Sequence, residues 1–99
     1  AAKRSPAAPE VPTVAEAGLA GAEADNWHAV LMPAGTPAAI TQRWSEVLKG
    51  VLSGAGLQAQ FTAQGAQARA STADELLHHM RAEIAKWREV ARVANVRLQ

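Results

Sequence analysis

Three histidines, a short acidic cluster and four serines are the residues of this 99-residue chain that could do chemistry, and no cysteine accompanies them. A metal would need its ligands on one face. His78 and His79 are adjacent, which on a helix turns them about 100° apart, and His28 lies far away in sequence. A structural or surface role is expected for all three, and no metal site is expected. Glu16, Glu23 and Asp25 are close in sequence, but nothing places two of them across a substrate. Ser5, Ser45, Ser53 and Ser71 stand outside any Gly-x-Ser-x-Gly context. The glycines form no phosphate loop or dinucleotide fingerprint; Gly50, Gly54, Gly56 and Gly65 read as helix punctuation. No catalytic residue and no cofactor are therefore expected, and the chain is not read as an enzyme.

Composition narrows the partners. Lys and Arg number 10 against 9 Asp and Glu, a formal charge of +1, so neither nucleic acid nor an anionic membrane is expected as a partner. No run approaches the roughly 18 apolar residues that span a bilayer, and no basic segment is followed by an apolar one. The expectation is a soluble chain without an address. It begins at Ala1 rather than Met, which is expected of a processed product, an excised segment or a piece of something larger.

The elements that would position any site are mainly helices. Pro6, Pro9 and Pro12 make the first residues an extended arm, because proline fixes its own backbone angle and pushes its predecessor toward extended geometry. Thr13 can cap a short turn over Val14 to Ala17, with Glu16 as the reciprocal capping-box acid and Gly18 as the stop. Trp27 to Met32 is the strand candidate. Its apolar run suits a strand buried on both faces, paired with Gln67 to Ala70, with Val96 to Leu98, or with a strand outside the chain.

Thr36 as N-cap and Pro37 at the first helical position predict a helix to about Ser53, with Ile40, Trp44, Val47, Leu48, Val51 and Leu52 in one stripe. A shorter helix is expected from Leu57 to Gln64, ended by Gly65. Thr72 and Glu75 open the longest one, from Ala73 to about Ala94, with Asn95 as a left-handed terminator. Its inner stripe is Leu76, Leu77, Met80, Ile84, Trp87, Ala91 and Ala94; Glu83 with Lys86, and Glu89 with Arg92, are spaced for surface pairs. The fold class read from this pattern is an α/β fragment, mostly helical, with about three helices and one or two short strands. Trp44 and Trp87 fall on apolar faces and read as core. Trp27 begins the strand beside Asn26 and His28, where a loop-to-strand boundary often faces a cleft.

Several short motifs keep a common order along nearly the whole chain: Ser5-Pro6, Pro9-Glu10-Val11-Pro12-Thr13-Val14-Ala15-Glu16-Ala17-Gly18, Asn26-Trp27, Pro33-Ala34-Gly35-Thr36-Pro37, Gln64-Gly65-Ala66 and Glu83-Ile84-Ala85-Lys86-Trp87. Jointly they make the chain resemble the C-terminal third of a tripartite tricarboxylate transporter substrate-binding protein, the Bug family of periplasmic receptors. The resemblance implies a two-lobed, Venus-flytrap receptor for a small carboxylate, working with transporter membrane subunits in the periplasm. Residues 1–26 would be a hinge arm with a short helical turn, and 27–99 the helix-rich part of one lobe. Ligand contact would come from Trp27 and His28.

Two departures fall near hinge and cleft. Leu19-Ala20-Gly21-Ala22 stands where the family usually has Leu-Pro-Gly-Phe, and His28 replaces an aromatic that often follows the tryptophan. The ligand-holding remainder of such a receptor is absent, so carboxylate binding is expected only in a full-length context. Two readings follow: a partial receptor without binding of its own, or a small helical interaction module that forms a homodimer through the strand at 27–32.

Overall fold

The computed structural model describes residues 1–97. Three helices follow one another: α1 over Ala38–Leu52, α2 over Ala55–Ala63 and α3 over Ala73–Val93. Their bounds lie within two residues of those the sequence predicts, because most of the end signals are local and present. Thr72 caps α3, its side chain accepting from the Glu75 N–H at 3.1 Å. Asp74 and Glu75 in the first turn and Arg92 in the last complement the helix dipole. At the far end Asn95 turns left-handed at φ 54, the Val96 N–H reaches the Ala91 carbonyl at 2.9 Å, and the Asn95 N–H that of Arg92 at 3.2 Å. That pair of bonds satisfies carbonyls the helix would otherwise leave open. The same pair closes α2, from Ala66 to Phe61 and from Gly65 to Thr62.

One predicted cap is replaced. Pro37, not Thr36, is the N-cap of α1, and no side chain caps it. The Thr36 hydroxyl instead donates backward to the Pro33 carbonyl at 2.7 Å, inside the turn that Gly35 makes at φ 81. The hydroxyl oxygen keeps its acceptor capacity, but no N–H of α1 uses it, and Thr36 belongs to the preceding turn.

The strands are not there. Among the described residues there is no strand and no sheet, so the fold is helical with extended connections rather than an α/β fragment. Residues 22–33 run without regular structure, with Val30 60% and Leu31 64% exposed. A strand exists only as part of a ladder, and neither 67–70 nor Val96 and Arg97 comes alongside to form one; Leu98 lies outside the described residues. A homodimer built on a strand at 27–32 loses its basis with it.

Residues 1–21 are a series of turns. The Ala8 and Val11 N–H groups each reach back three residues, and the Thr13 hydroxyl accepts from Glu16 N–H at 3.1 Å. Glu16 does not close the capping box with its carboxylate. Arg4 takes that group, donating from Nε at 2.8 Å, and also reaches the Pro9 carbonyl at 3.1 Å. This clasp holds the Glu16 carboxyl below the usual carboxylate range, by the Arg4 hydrogen bond first and its charge beside it. A depressed folded value means that the clasp contributes above the ordinary glutamate pKa, about 4.3, and is lost as pH falls through the folded one. On acidification the Arg4 side-chain resonances should therefore lose their shift dispersion in step with Glu16 protonation, as read by NMR; an Arg4 signal indifferent to Glu16 would contradict the clasp.

Packing between elements is sparse. α1 and α2 touch, and Gln58 holds their junction by donating to the Leu52 carbonyl and, at 3.2 Å, to that of Ala68. α3 meets neither helix. Among the described residues no apolar side chain is buried, and the buried polar one is Thr13. The radius of gyration is 16.6 Å, against about 13 Å for a packed domain of this length. The accessible surface is 8385 Å², roughly 3,000 Å² more than a packed monomer of this mass presents. The helices are made by their own ends and stripes, and their apolar faces await cover.

Candidate functional site

Trp27 sits on α3. Its ring meets His79 edge-on, centroids 4.9 Å apart at 74°, a favourable aromatic geometry. Its backbone approach is held by Lys86, whose ammonium donates to the Glu23 carbonyl and lies 5.2 Å from the Trp87 ring. Glu83 accepts from the Trp87 indole N–H at 2.6 Å. The expected Glu83–Lys86 surface pair is thus not formed, because each side chain has a better partner: an indole donor four residues on, and a carbonyl on the approaching chain. The Glu89–Arg92 pair does form, with two hydrogen bonds at 2.9 and 2.6 Å; the Arg92 hydrogen bond lowers the Glu89 pKa.

Trp27, Met80, Glu83, Ile84 and Trp87 line an open groove of about 240 Å³. A second groove, about 310 Å³, lies between Val30, Leu31, Met32 and Pro33 on one side and Ile40 and Trp44 of α1 on the other. The segment 27–33 therefore borders both. His28, between them, is exposed and lines neither groove.

The chemistry of these grooves is apolar. A carboxylate site needs a cation or converging N–H donors, shielded from water. Among the described residues the only ionisable group lining either groove is Glu83, an acid, and the nearby Lys86 is engaged elsewhere. Neither groove is enclosed. They are shaped to accept apolar side chains rather than an acid. Among the described residues no group of three His, Cys, Asp or Glu could hold a metal ion, and no helix is long and apolar enough to cross a membrane.

Spacing placed Trp87 on the apolar stripe and left Trp27 as a boundary residue; what it missed was that α3 itself receives Trp27. His79 and Lys86 share the flank of α3 beside that stripe, about 240° and 220° round from Ala73, and this was the available signal.

The sequence model of the tripartite tricarboxylate transporter family receptor matches residues 1–96. The chain belongs to that family. BugT of Bordetella pertussis (strain Tohama I / ATCC BAA-589 / NCTC 13251) is 32% identical over 96 residues, which are 97% of this chain and 29% of BugT. The UPF0065 protein in the TAR-I ttuE-ttuC' intergenic region of Agrobacterium vitis is 42% identical over 57 residues, 58% of this chain and 16% of that protein. The receptor chain thus spans less than a third of the length of either relative. No solved structure matches it. The family is one of transport receptors rather than enzymes.

Proposed function

We propose that the chain supplies the helix-rich part of one lobe of a periplasmic solute-binding receptor, serving the membrane subunits of a tripartite tricarboxylate transporter, and that it does not hold a carboxylate by itself. The observation that carries this reading is the family match over nearly the whole chain, joined to grooves that are open, apolar and without a lining cation. In the full receptor, residues 1–26 act as the hinge arm and 27–99 as the lobe portion, with Trp27 and His28 as the residues nearest the ligand cleft.

Titration calorimetry tests it. Di- and tricarboxylates at millimolar concentration are expected to give no saturable heat with the 99-residue chain; a saturating isotherm would overturn the claim that binding needs more chain. The positive half is tested by exchanging residues 1–96 for the matching segment of BugT. A chimera that unfolds cooperatively supports the lobe assignment, and one that stays unfolded counts against it.

A second reading, a helical interaction module, is favoured by one specific observation: the stripe on α3 faces neither α1 nor α2.

A further inference from the structure

We draw no further inference here: the strongest candidate, the open apolar face of α3 along Leu77, Ile84 and Trp87 with the groove that Trp27 borders, carries nothing, because nothing in the structure shows what covers it in a chain that spans less than a third of the length of its relatives.

Discussion

In dilute solution, heating the isolated chain is expected to give a broad, shallow loss of helical signal rather than a sigmoid, with only weak near-ultraviolet dichroism, from Trp27 against His79 and from Trp87 bonded to Glu83. Cooperative unfolding needs a shared core whose loss is all-or-none. Here no described apolar side chain is buried, α3 touches neither other helix, and α3 alone of the described helices has a side-chain N-cap. Isolated helices shorter than about 12 to 15 residues are marginal in water, so α2, with nine residues, should melt first and α3, with 21, last. Circular dichroism at both wavelengths, with amide exchange to rank the helices, checks this. A sharp transition with fixed tryptophan dichroism in a monodisperse monomer would mean that the helices cover one another after all.

That absence of shared burial also explains which features could be read from residue order. Thr72 before Asp74 and Glu75, Asn95 after Val93 and Gly65 after Ala63 act within a few residues, and all three behave as their types predict. Trp27 to Met32 has the composition of a buried strand, but whether it is one depends on a partner that composition cannot supply. Glu16 shows the same limit at smaller scale. Its spacing from Thr13 suits a capping box, yet its carboxylate went to Arg4, twelve residues earlier in the chain. Likewise Lys86 is placed for Glu83 and found the Glu23 carbonyl instead. Helix-end signals are legible; which partner a side chain takes is less so, whether the competitor is near, as Pro33 is for Thr36, or distant, as Arg4 is for Glu16. The candidate site was legible only in part for this reason. Trp27 could be singled out by type, but its seat against His79 is set by the path of residues 22–33, which nothing nearby dictates.

Two glycines separate local backbone preference from packing. Gly65→Val should destabilise the α2 end by about 1–2 kcal/mol, because φ is +73 there and an L-residue, worst of all a β-branched one, resists that region. No atom lies within 4 Å of the position its Cβ would take, so the effect is conformational and not a clash. Losing the turn would release the Ala66 and Gly65 hydrogen bonds to Phe61 and Thr62, and with them the Ala68 carbonyl that Gln58 holds. Gly65→Asn should recover most of the loss, since asparagine tolerates the left-handed region as Asn95 already does. Gly50→Ala should act in the opposite direction. Gly50 is inside α1 with open space around its Cβ position, so alanine is expected to stabilise that helix by about 0.5–1 kcal/mol. Site-resolved amide exchange distinguishes the cases: faster exchange confined to α2 and 66–70 for Gly65→Val, slower exchange confined to α1 for Gly50→Ala. Effects that spread to α3 would show a coupling between the helices that their lack of contact denies.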